Sequence, residues 1–194
     1  KKVVIIGPES TGKSTLCESL AQHYGMQWCP EFASEYLITN GKEYSFNDLL
    51  TIAKGQLALE DEYETIVKSQ WSMVNDRTWI NPHSLIKTQK SPLLFIDTDM
   101  YVMKVWCEYV FEKCHQFILD QIVNRKYDLY LLCHTDLPWV KDDLREYPDA
   151  GIRNELYHIY KDLLINQQVP WVEIGGSHED RSLMAIAAVE EYLH

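Results

Sequence analysis

The chain has 194 residues with a formal net charge of −11; 46% are hydrophobic and 24% charged. That length suits one domain spanning residues 1–194 with a core large enough to need no metal or disulfide staple, and the composition excludes a disordered or low-complexity chain. The acidic balance argues against a nucleic-acid partner, which needs a basic stripe, and no apolar run approaches the roughly 20 residues of a membrane span. Five cysteines at 17, 29, 107, 114 and 133, without a C-x-x-C pair, fit reduced thiols in a cytoplasmic protein.

"KKVVIIG" is a β-branched run closed by glycine, and "STLCESLAQHYG" has helical spacing with a stop at Gly25. Between them lies "GPESTGKST", a complete G-x-x-x-x-G-K-S from Gly7 to Ser14 in the strand-turn-helix setting that a phosphate-binding P-loop requires. Glycines there let backbone N–H groups turn inward around phosphate oxygens, and the helix N-terminus adds positive partial charge. The motif assigns Gly7, Glu9, Ser10, Thr11, Gly12, Lys13, Ser14 and Thr15 to the nucleotide. Lys13 is the catalytic cation reaching the β- and γ-phosphates, and the Ser14 hydroxyl ligates Mg²⁺. ATP with magnesium is the expected ligand.

"MQWC" reads as a short second strand, followed by a helix from Pro30 or Glu31 through "FASEYLITN". Glu31, at the end of that strand, faces an acceptor such as a ribose, or else complements the helix N-terminus as Glu35 does. A long helix follows from "SFNDLL", capped by Ser45 or Asn47. Periodicity fails over residues 71–91, which read as a surface insertion.

"PLLFID" is a buried strand that delivers Asp97 to the magnesium side of the P-loop. Two residues on, Asp99 reaches the same edge if the chain stays extended. There it can be the base or orienter for an acceptor hydroxyl beside the γ-phosphate, the N-cap of the helix starting near Met100, or both at once. "MYVMKVWCEYVF" and "QFILDQIVNR" are helices, and "YDLYLLC" is a strand. The polar segment from His134 to Arg153 reads as a lid, whose Arg145 can close over the transferring phosphoryl group and whose Arg153 can join it at the nucleotide. A helix "NELYHIYKDLLINQ" and a last strand "PWVEIGG" complete the reading. Trp28, Phe32 and Trp139 flank these polar groups, either to stack on a substrate ring or to fill core.

Taken in order, "GPESTGKST", "PEFASEYL", "FIDTDM", "YDLYLLC" and "DLPWVKDDLR" resemble the NadR-like ribosylnicotinamide kinase family over nearly the whole chain. The resemblance implies an adenylate-kinase-like P-loop NTPase: a three-layer α/β/α fold with a central parallel sheet of about five strands and a short lid. It implies transfer of the γ-phosphate of Mg-ATP to the 5′-hydroxyl of nicotinamide riboside, a small nucleoside-like substrate. It also implies phosphate and magnesium roles for Gly12, Lys13, Ser14 and Asp97, an acceptor-side role for Asp99 and a lid role for Arg145. Two positions depart from the family pattern: Ser34 stands where the family has arginine, and Pro30 where bifunctional members have tryptophan. Two other readings stay open, a kinase for another nucleoside or sugar and a nucleotide-dependent regulatory switch.

Overall fold

The three central strands of the computed structural model, which describes residues 1–75, 91–141 and 144–193, are sealed from solvent on both sides. Every residue of β1 (Lys2–Ile6), β3 (Leu94–Asp97) and β4 (Leu129–Cys133) is buried except Lys2. Such continuous apolar runs belong to strands of a parallel sheet covered on both faces. With β2 (Trp28–Cys29) and β5 (Trp171–Ile174) they form one parallel sheet in the order β2-β3-β1-β4-β5, with Ile5 opposite Asp97 and Leu131. Burying each Ile or Leu of these strands is worth roughly 1.5–3 kcal/mol, so the central strands carry much of the core's stabilisation.

The sheet is flanked by seven helices among the described residues: α1 (Lys13–Tyr24), α2 (Phe32–Asn40), α3 (Phe46–Asn75), α4 (Met100–Phe111), α5 (Gln116–Asn124), α6 (Ala150–Ile165) and α7 (His178–Leu193). One set pairs α1 with α7; the other joins α2 through α6, including a second apolar core in which Leu49, Ile52, Met100, Met103 and Ile118 meet. This is the α/β arrangement that the sequence predicts.

Helix limits follow local chemistry. Gly25 ends α1 in the left-handed conformation, with φ of 65°. Ser45 and Asp48 cap α3 reciprocally: Ser45 N donates to Asp48 Oδ2 at 2.8 Å and Asp48 N to Ser45 Oγ at 3.4 Å. The predicted insertion begins too early, because α3 continues through Asn75; the remainder, 76–90, lies outside the described residues. The predicted lid segment also loses its end to a helix, since Asp149 accepts from Ile152 N and starts α6 at Ala150.

Helix α7 was not anticipated from the sequence, although Ser177 and Asp180 form a second reciprocal cap. Its inner face carries Arg181 with Ala185, Ala188 and Val189. Arg181 is 1% exposed. Its Nε donates to Gly176 O at 2.9 Å, Nη1 to Thr11 O at 3.0 Å, and Nη2 to His134 O at 3.1 Å and to Asp136 Oδ1. One guanidinium thus ties the P-loop to the ends of β4 and β5. Replacing it by an apolar side chain leaves three carbonyls without their donor. Arg181→Leu is therefore expected to lower stability by about 3 kcal/mol in urea unfolding, against less than about 1 kcal/mol if the bonds are incidental.

Candidate active site

The loop between β1 and α1 has the backbone that the motif demands. Gly7 has φ of 144° and Gly12 φ of 78°, and a Cβ on Gly7 would stand 2.8 Å from the carbonyl oxygen of Cys133. Both positions exclude side chains, one by contact and both by conformation. Ser10, at φ of 57°, completes the turn. The Thr11 hydroxyl donates to Pro8 O at 2.7 Å and the Lys13 ammonium to the same oxygen at 3.0 Å, so Lys13 lies along the loop.

At the end of β3, Ser14 Oγ donates to Asp97 Oδ2 at 2.5 Å. Two hard oxygen atoms from neighbouring elements stand side by side, a pair whose chemistry fits Mg²⁺. Burial raises the Asp97 carboxyl above the usual range, against the pull of the Lys13 charge. The next residue, Thr98, turns the chain with φ of 76°. Its hydroxyl donates to Glu31 Oε1 at 3.3 Å, and Ser34 Oγ donates to Glu31 Oε2 at 2.9 Å. Glu31 is thereby braced on the second side of the site.

These groups open into one cleft of about 900 Å³. Gly7 through Thr15 and Asp97 line one end. Glu31, Ser34, Leu37 and the α4 face of Val102, Val105, Trp106 and Tyr109 line the other, with Leu144 through Tyr147 along the rim. The cleft joins a phosphate cradle to a half-apolar bay of a size that takes a nucleoside-like molecule.

Of the two readings of Asp99, base and helix cap, the geometry supports the cap. The left-handed Thr98 breaks the extended geometry that would have set Asp97 and Asp99 on one side. Asp99 Oδ1 accepts from Tyr101 N at 2.9 Å and Val102 N at 3.4 Å, Oδ2 accepts from Tyr130 OH at 2.8 Å, and the residue is 1% exposed. Burial pushes its carboxyl up to about 7, against the lowering effect of these three bonds.

The aromatic expectations also shift. Trp28 packs against the main core, and the Phe32 ring fills the space where a Cβ on Gly55 would sit, 2.2 Å away. Trp139 Nε1 donates to Glu9 Oε1 at 3.4 Å. None of the three lines the cleft; Trp106, Tyr109 and Tyr147 do. The α4 residues recur at helical spacing, a pattern the sequence also offers to core packing, which is why they passed unnoticed.

Arg145 does line the cleft, donating to Val140 O at 2.5 Å and Ser10 Oγ at 3.3 Å. Arg153 is buried outside it, donating to Leu137 O at 3.2 Å and Ser10 O at 3.4 Å. The Glu9 carboxylate faces the backbone of 146–147 rather than the phosphate cradle. Sequence reasoning also missed Gln56 on α3. It accepts from Phe32 N at 2.7 Å and donates to Pro30 O at 3.3 Å and Asp97 O at 3.4 Å, joining the strand ends that carry Glu31 and Asp97.

Residues 2–181 match the AAA domain family AAA_28. Over 195 aligned residues the chain is 24% identical to the trifunctional NAD biosynthesis/regulator protein NadR of Escherichia coli K12, covering all of this chain and 43% of that protein. The chain therefore spans less than half the length of this curated relative. A NadR protein crystallised in complex with NR superposes with a TM-score of 0.73 at 22% identity, over 100% of this chain and 49% of that one. A NadR protein in complex with NAD and AMP-PNP gives 0.69 at 22% identity with the same coverage. The shared fold is that of P-loop NTPases.

The cap geometry carries its own test. Asp99→Ala is expected to cost about 2 kcal/mol in urea unfolding, since α4 loses its cap and Tyr130 its acceptor, whereas Asp99→Asn should retain most of that stability.

Proposed function

Within the AAA domain family AAA_28, to which this chain belongs, we propose that it acts as a small-molecule kinase transferring the γ-phosphate of Mg-ATP to the 5′-hydroxyl of nicotinamide riboside. The observation that carries the reading is the cleft itself: the P-loop and the Ser14–Asp97 pair share its lining with a braced carboxylate, Glu31, and aromatic side chains of α4. Similarity over all of this chain to a part of NadR, of which one structure holds NR and another AMP-PNP, supports the choice of acceptor and donor.

Loop N–H groups and the N-terminus of α1 would hold the donor phosphates, and Lys13 would exchange Pro8 O for a phosphate oxygen. A magnesium ion held by Ser14 and Asp97 would neutralise charge on the β- and γ-phosphates. Glu31 would accept the acceptor's hydroxyl proton as that oxygen attacks the γ-phosphorus and the bond to the β-phosphate oxygen breaks, releasing ADP. Arg145, on the rim, would offset charge on the transferring group.

Both departures from the family pattern acquire a role in this reading. Ser34 supports Glu31 where an arginine would contact substrate, and Trp106 with Tyr109 supplies the aromatic wall that Pro30 cannot. The competing reading is a kinase for another nucleoside or sugar, favoured by these same two departures.

The decisive measurement is ADP release from Mg-ATP with a panel of nucleosides. Nicotinamide riboside should stimulate it most; release independent of every acceptor would sink the kinase reading, and stimulation by a different nucleoside alone would reassign the acceptor. Glu31→Gln should lower kcat by roughly 10²–10⁴-fold with a small change in KM for ATP, the loss typical of a general base. A rate within threefold of the native protein, on the same scale of base contributions, would remove Glu31 from that role.

A further inference from the structure

Glu9 occupies a position of the P-loop motif at which residue type is unrestricted, yet its carboxylate is fully engaged. Oε2 accepts from Glu146 N at 2.9 Å, and Oε1 accepts from Tyr147 N and from Trp139 Nε1 at 3.4 Å. The neighbouring Ser10 Oγ accepts from Val140 N at 3.0 Å and from Arg145 Nη1 at 3.3 Å. Two adjacent P-loop side chains therefore hold the backbone on both sides of the segment leading to α6.

The contacts continue across the cleft. Glu146 Oε2 accepts from Tyr44 OH at 3.0 Å, and Tyr44 OH accepts from Trp106 Nε1 at 2.8 Å. Tyr44 lies between α2 and α3, and its ring meets that of Trp106 edge-on at 4.9 Å between centroids. Trp106 belongs to the acceptor wall and Glu146 to the rim. A hydrogen-bonded run thus links the phosphate loop, the rim and the acceptor wall: Glu9, the 146–147 backbone, the Glu146 carboxylate, Tyr44 and Trp106.

We infer that Glu9 is a positioning residue that clasps Trp139 and the backbone of residues 146–147 onto the P-loop, so that the rim over the phosphoryl group and the acceptor wall are ordered together. Resting on the kinase reading above, the inference assigns to this clasp the selection of the acceptor hydroxyl over water at the γ-phosphate. Glu9 acts through the backbone of the rim and touches no reacting atom. A charged acceptor is suited to two adjacent N–H donors, because such bonds are shorter and stronger than neutral ones. Without it, those N–H groups would turn to solvent and bring water to the rim.

Two readouts test the clasp. In hydrogen–deuterium exchange, Glu9→Ala should speed exchange of the Glu146 and Tyr147 amides by at least about tenfold while α1 and β1 stay protected, because local opening needs only the clasp to be lost. The ratio of acceptor-independent ADP release to phosphoryl transfer should rise by about tenfold in the same variant, as expected when a rim no longer excludes water. Glu9→Gln, which keeps one carbonyl oxygen, should fall between the two. Tyr44→Phe, remote from the phosphates, should raise the ratio without accelerating exchange in α1, and it serves if Glu9→Ala does not fold.

Unchanged exchange at 146–147 in Glu9→Ala or Glu9→Gln would overturn the clasp, as would faster exchange with an unchanged ratio. The exchange arm needs no acceptor. A silent acceptor panel together with fast exchange in Glu9→Ala would therefore overturn the kinase reading and leave the clasp standing.

Discussion

The P-loop and the ends of β4 and β5 converge on one buried guanidinium. Arg181 contributes donors to Thr11 O, His134 O, Gly176 O and the Asp136 carboxylate. A charged group in a 1% exposed position is tolerated only when its donors are satisfied, and the planar fork of arginine can serve several directions at once. The arrangement works in both directions. The charge needs these carbonyls, and the P-loop gains a fixed partner through Thr11 O. A loop with left-handed backbone at Gly7, Ser10 and Gly12 has little intrinsic stability, so its shape depends on what grips it from outside.

Around that anchored loop, carboxylates are separated by environment. Asp97 faces Ser14 and Lys13 at the cleft; Asp99, two residues away, is enclosed with Tyr130 and the first N–H groups of α4. Glu31 is held at the cleft by two hydroxyls, and Glu9 faces the rim backbone. The sequence presents Asp97 and Asp99 as a pair. The single left-handed residue between them sends one to the nucleotide side and the other into the wall. A carboxylate's neighbours, more than its place in the sequence, set what it can do.

The parts legible in advance were those encoded locally. The P-loop reads from spacing and context, the central strands from unbroken apolar runs, and the α3 start from Ser45. What escaped was encoded by contacts far apart in the chain. Arg181 meets the P-loop across 170 residues and Gln56 meets Asp97 across 41, and neither position has a local signature. Helix α7 begins with a polar cap and carries a charged residue on its inner face, which blurs the apolar stripe that would announce it. The aromatic choice failed for a related reason. Trp28 and Phe32 are close in sequence to Glu31, whereas the residues that share its cleft, Trp106 and Tyr109, come from α4.

Strand β2 contains only two residues, and Glu31 follows it almost at once. So short a strand cannot set the direction of its own end; Gln56 does so from α3 through Phe32 N and Pro30 O. The geometry around Glu31 is therefore partly written in a helix that contributes no residue to the cleft lining. A change in the packing of α3 would move Glu31 while leaving the phosphate loop and the other residues lining the cleft as they are.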